Sequence, residues 1–198
     1  MLLGANVLIA LGYGVVSPVL PVYARHFGVS ISATTFLITA FALTRLLFAP
    51  VSGLLVQRRG EREVYVAGLL IVSVSTMACA FVQTYWQLLF FRALGGVGST
   101  MFFIAAVGLM IRISPEDARG RVAGMFATAF LLGTVGGPIL GSLTAGLGLN
   151  APFLFYGSVL LVTATGVFVS LRHSHLAEPA ESTGPTVSVR AALGNRAY

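Results

Sequence analysis

The stretch GTVGGPILGS, residues 133 to 142, sets Gly133, Gly137 and Gly141 four residues apart and places Pro138 inside the same run. In water these residues weaken a helix, glycine through its backbone freedom and proline through its missing N–H. In a bilayer both are tolerated, because a helix satisfies its own backbone there and small residues at every fourth position let a second helix come close. What surrounds the run decides between the two. Of 198 residues, 57% are apolar and 9% are charged, a balance that fits an integral membrane protein and excludes an ordinary soluble domain.

The charges cluster and leave six apolar stretches, roughly 2 to 23, 32 to 56, 64 to 83, 87 to 111, 122 to 146 and 151 to 171, each near the length that crosses a hydrocarbon core as a helix. The expected fold is therefore all-α, a six-helix transmembrane bundle over 1 to 171. A cytoplasmic linker or tail over 172 to 198 is expected to follow, where Ser, Thr, Pro, Glu and Arg replace the apolar run. The connections ARHFGVSIS, QRRGERE, QTYW, RISPEDARGR and GLGLN are short and punctuated by turn formers or charges. Such loops predict that helices adjacent in sequence pack antiparallel against each other. The first span lacks a basic leader and a small-residue cleavage site, so it is not expected to be a removable signal peptide. It begins so close to Met1 that a natural cytoplasmic lead is expected to be missing.

All 12 basic residues are arginine. Arg58, Arg59, Arg62, Arg112, Arg119, Arg121, Arg172, Arg190 and Arg196 fall on one side of the bundle, and Arg25 alone falls in a loop on the other. The positive-inside rule then puts both termini in the cytoplasm, with the protein in the cell membrane. Glu61, Glu63, Glu116, Asp117, Glu178 and Glu181 share the basic side. The basic pI thus reports topology and contact with anionic lipid, and nucleic acid is not an expected partner. Cys79, the single cysteine, reads as a small apolar packing residue and permits no internal disulfide or cysteine metal site. His173 and His175 read as solvated residues beside the membrane, not as metal ligands.

Two arginines lie inside spans. Arg45 is thirteen residues from Ser32 and twelve from Gln57, and Arg92 is six residues past Trp86, about 9 Å deep at 1.5 Å per residue. A charge at such depth costs at least a few kcal/mol and by default faces a bundle interior or a watered path. No Asp or Glu lies in any span, so the neutralising group is a backbone carbonyl, an anionic ligand or another polypeptide. Gly95, Gly96 and Ser99 follow Arg92 at offsets of three, four and seven, giving one small, polar face suited to a cavity wall. Arg92, Arg45, Ser99 and Tyr13 are the candidates for a substrate or proton pathway. Paired carboxylates, His/Glu clusters and Ser/His/Asp sets are missing at membrane depth, which argues against an enzyme, and no G-x-x-x-x-G-K-[ST] run supports ATP-driven pumping. No cofactor or metal is expected.

Several motifs in order carry a resemblance. GYGVVSPVLPVYA holds Pro18 and Pro21 in the first span; GLLVQRRGER holds Gly53, Gln57, Arg58, Gly60 and Arg62 after the second. RALGGVGS holds Arg92, Gly96 and Gly98, PEDARGR holds Pro115, Arg119, Gly120 and Arg121, and GTVGGPILGS closes the set. Together they resemble the N-terminal six-helix half of a major facilitator superfamily transporter, most of all the twelve-helix drug:proton antiporter branch. The resemblance implies two inverted three-helix repeats and transport of small molecules by alternating access, as one half of a proton-coupled multidrug exporter. A carrier for a specific anion or metabolite, or a non-transporting truncated membrane protein, are the alternatives.

The resemblance also assigns roles. Gly53, Gln57, Arg58, Gly60, Arg62, Arg119 and Arg121 would form a conformational switch, with Arg58 and Arg62 anchoring their loop and pairing with charges of the fourth loop. Arg92 would act in proton coupling. Gly133, Gly137, Pro138 and Gly141 would lie at the interface between two six-helix halves, so that the surface they meet is expected to be outside this chain. Gln57 stands where the family signature has an acid, and Ser142 where it has a second glycine. The chain ends inside what would be a long linker, so the expected partners are the lipid bilayer, a small-molecule substrate, and a second six-helix half or another copy of itself.

Overall fold

The computed structural model describes residues 2–171. The expected tail over 172 to 198, with His173 and His175, lies outside the described residues. Six helices form: α1 Leu2–Arg25, α2 Ile31–Arg59, α3 Glu61–Cys79, α4 Tyr85–Ile113, α5 Arg119–Ala145 and α6 Ala151–Leu171, with a 3-10 turn at Glu116–Ala118 before α5. Each is long and apolar enough to cross a membrane, and no strand occurs among the described residues. The fold is an all-α membrane bundle.

Local chemistry sets the helix limits. The Ser30 hydroxyl accepts the Ala33 N–H at 3.3 Å and starts α2. Helix α3 stops at Cys79, short of the expected 83, because Gln83 and Thr84 belong to the start of α4. There the Thr84 hydroxyl accepts the Gln87 N–H at 3.4 Å, and the Gln87 side chain accepts the Gln83 N–H at 2.9 Å. A single residue, Gly60, joins α2 to α3 with φ 83° and ψ 159°, a conformation open essentially to glycine alone. Pro18, Pro21, Pro50 and Pro138 all lie within helices without ending them.

Packing departs from what the short loops predict. Among sequence neighbours only α3 and α4 pack extensively; α1 with α2 and α4 with α5 barely touch. The most extensive contacts are α1 with α5, α3 with α4, α2 with α4 and α3 with α6. Pairs α1/α5 and α2/α4 run parallel: the Asn6 side chain bonds the Phe126 carbonyl (3.0 Å), the Tyr85 hydroxyl bonds the Ala33 carbonyl (2.8 Å), and Thr100 bonds the Arg45 carbonyl (3.2 Å). A short loop ties only helix ends, whereas lateral neighbours are chosen by faces that allow close approach. Exchanging α1 with α4, α2 with α5 and α3 with α6 maps α1/α5 onto α2/α4 and α3/α6 onto itself, while the extensive α3/α4 contact maps onto a lesser one between α1 and α6. That exchange is the signature of two three-helix repeats, inverted because an odd number of crossings separates them.

The glycine stripe of α5 shows how a small face selects its partner. A Cβ on Gly137 would stand 2.6 Å from the Leu11 carbonyl oxygen and would meet the Gly14 Cα. One on Gly141 would stand 2.6 Å from the Val15 carbonyl oxygen, and one on Gly133 2.7 Å from the Leu11 nitrogen. The surface that Gly133, Gly137 and Gly141 meet is thus α1 of the same chain, correcting the expectation that it lies outside. Ala10 and Gly14, also four apart, are the complementary small face. The opposite side of α5, with Leu131, Leu132, Val135, Ile139 and Leu143, is exposed.

Candidate functional site

Arg92 enters seven residues after the start of α4, and Arg45 fourteen after the start of α2, so both side chains begin well inside their helices. Parallel packing of α2 on α4 brings them to one cavity of about 250 Å³. Tyr13 of α1 and Ser99 of α4 line the same space, so all four pathway candidates converge. Val72, Ser75, Thr76 and Cys79 supply the α3 wall, Phe130 reaches in from α5 and Tyr156 from α6. Every helix contributes, and no Asp or Glu lines the cavity.

Phe41 is the hub that sequence reasoning missed. The Arg92 guanidinium carbon lies 4.5 Å from its ring centroid, the Arg45 guanidinium carbon 6.0 Å, and the Tyr13 ring 6.2 Å. The second ring near Arg45 is Phe103, at 5.9 Å. The faces of aromatic rings attract cations by their quadrupole, most strongly out of water. Rings therefore serve as part of the neutralising environment alongside the carbonyls, ligands and polypeptides considered from sequence. Arg92 Nε is enclosed and has no hydrogen-bond partner among the described residues. The available signal was the spacing: Phe41 precedes Arg45 by four residues and shares its helix face.

The face following Arg92 divides between two jobs. Gly95 and Ser99 line the cavity, and Ser75 Oγ sits 3.0 Å from where a Gly95 Cβ would be. Gly96 instead faces α2, where a Cβ would come 2.8 Å from the Phe41 carbonyl oxygen. Larger residues at Gly96 would push Phe41 and its ring away from Arg92. On α6, the Tyr156 hydroxyl donates to the Ile9 carbonyl at 3.3 Å, fixing that wall to α1.

The loop candidates sit at the opposite end of the bundle from Trp86, on the side of the second and fourth loops. Glu61 accepts from Arg112 at 3.0 Å, tying the start of α3 to the end of α4. Among the described residues Arg62 makes its contacts on α6 and none with the fourth loop. It donates to the Phe168 carbonyl of α6 at 3.4 Å and lies 5.6 Å from the Phe168 ring centroid. The antiparallel register of α3 and α6 puts that helix end beside it. Gln57, Arg58, Arg119 and Arg121 are exposed, and a Cβ on Gly53 would meet nothing within 4 Å.

Comparison with known proteins bears on this geometry. A family model described as Major Facilitator Superfamily matches residues 2–197. Multidrug resistance protein 2 of Bacillus subtilis is 31% identical over 172 residues, covering 85% of this chain and 43% of that protein. Quinolone resistance protein NorA of Staphylococcus aureus is 32% identical over 152 residues, covering 77% of this chain and 39% of that protein. The chain spans less than half the length of these curated relatives.

Proposed function

The chain belongs to the major facilitator superfamily, and from that premise we propose that it is one six-helix half of a transporter that exports small aromatic or amphipathic molecules by alternating access. The supporting observation is the convergence of Tyr13, Arg45, Arg92 and Ser99 around Phe41 in one cavity reached by all six helices. A site of this kind offers an aromatic floor for ring-bearing molecules and a few polar groups to orient them. The names of the two relatives point to drug efflux as the physiological task. The bundle sits in the cell membrane with both ends of this half in the cytoplasm, as the arginine distribution favours.

A second half completes the pathway. Helices α2 and α5 are the least covered, with 22% and 17% of their apolar stretches buried against 44% to 56% for the other four. They are also equivalent under the exchange of repeats, so together they offer a symmetric pair of faces to a partner. If export is driven by protons, the carrier carboxylate comes from that partner, and the charge of Arg92 would favour its ionised form. The Glu61–Arg112 tie and the Gly60 turn hold one end of the half together during rocking, while Pro138 loosens α5 next to its crossing with α1.

Drug accumulation in cells or proteoliposomes, with the chain alone and with a supplied second half, tests the proposal. Drug efflux only with both halves is expected, and Arg92→Ala and Phe41→Leu should each reduce it. No flux under either condition would refute transport and leave a non-transporting membrane protein. The two arginines with no acid beside them favour a second reading, a carrier for a specific anion or metabolite; flux of one anion and no drug would establish it.

A further inference from the structure

A groove of about 500 Å³ runs down the outside of α3 and α6, well apart from the central cavity. Its mouth is charged: Arg59 closes α2, and Arg62 and Glu63 lie in the first turn of α3. Arg62 is held in place by its bond to the Phe168 carbonyl and by the Phe168 ring, which leaves most of its five donors available for other acceptors. The floor is apolar. Val66, Ala67 and Leu70 follow Glu63 at offsets of three, four and seven, so they form one stripe, and Leu70 keeps 40% of its surface exposed. Leu70 lies eight residues below Arg62, about 12 Å along the helix and close to the half-thickness of a hydrocarbon core.

A paired cationic mouth at the membrane surface above an apolar slot one leaflet deep matches an amphiphile with an anionic head. We infer that this groove binds one anionic phospholipid, its phosphodiester between Arg59 and Arg62 and one acyl chain along Val66, Ala67 and Leu70. Basic recesses between helices at this level attract anionic headgroups. Glu63, on the same rim, disfavours a second negative charge, so a monoanionic head is the better match. Ala67 is the smallest side chain lining the slot.

Native mass spectrometry of the full chain in detergent, titrated with phosphatidylglycerol or phosphatidylcholine, tests the site. One phosphatidylglycerol should survive under conditions that strip phosphatidylcholine. Each of Arg59→Gln and Arg62→Gln should weaken its retention about fivefold, and the pair about thirtyfold. Arg58→Gln and Arg121→Gln should leave it unchanged. Ala67→Leu, which fills the slot and keeps both charges, should also weaken it. Should Arg62→Gln lower stability by losing Phe168, Arg59→Gln combined with Ala67→Leu probes the groove with that contact intact. Equal retention of both lipids, or full retention by the double variants, would overturn the assignment. Displacement of the lipid by glycerol phosphate at equal concentration would overturn it too, identifying a site for free phosphate esters.

Discussion

Replacing Gly137 by alanine places a methyl group where α1 passes closest to α5. The new Cβ would lie 2.6 Å from the Leu11 carbonyl oxygen and nearer still to the Gly14 Cα, and ordinary contact begins near 3.4 Å, so the helices must part by at least about 0.8 Å at the crossing. Overpacking of that kind costs about 1–3 kcal/mol, and the better helix propensity of alanine returns at most about 1 kcal/mol. With a net loss of about 1–2 kcal/mol and about 2–4 °C per kcal/mol for a chain of this size, the midpoint should fall by roughly 2–8 °C. Gly124→Ala is the matched control, because a Cβ there meets nothing within 4 Å on the same helix. It keeps the propensity gain without the clash and should melt at or slightly above the parent. Thermal unfolding followed by circular dichroism in one detergent compares the two. Midpoints within about 1 °C of each other would refute the close crossing as the reason for the glycine stripe.

Other consequences are equally direct. Gly60→Ala must adopt φ 83° with a side chain, costing about 1–3 kcal/mol, and should lower the melting point and speed proteolysis between α2 and α3. Parental digestion rates would count against the turn's dependence on glycine. The Glu61–Arg112 pair retains side-chain exposures of 17% and 30%, so a double-mutant cycle with glutamine at both sites should give a coupling of about 0.2–1 kcal/mol. Coupling well above that would mean that the pair is desolvated in the bilayer. In a Cys79→Ala background, a cysteine at His26 should react with an impermeant maleimide applied outside cells, whereas one at Gln57 should react only after permeabilisation. The reverse pattern would invert the proposed orientation.

The helices were readable because lipid imposes a blunt rule, about twenty apolar residues between charges, and the sequence obeys it six times. Arg45 and Arg92 stood out for the same reason, as the charges that break it. Which helix meets which was not readable, because Gly133, Gly137 and Gly141 announce a close contact without addressing it. The answering face, Ala10 and Gly14, lies more than a hundred residues away and is modest on its own. Phe41 escaped notice for a related reason: one of 14 phenylalanines in a greasy chain carries no signal until the neighbouring helix delivers Arg92 to its ring. Arg62 was assigned to the fourth loop by its place in a motif, but register, which no motif encodes, sends it to Phe168.

The preference of α1 for α5 has a consequence for how the chain is made. Between Arg25, where α1 ends, and Arg119, where α5 begins, lie ninety-three residues. At synthesis rates of about 5–20 residues per second, α1 waits on the order of 5–20 s in the membrane before its principal neighbour exists. During that interval Asn6 has no Phe126 carbonyl to bond, and the groove over Ala10 and Gly14 lies open to lipid. The bundle can close only when the fifth helix is in place beside the first.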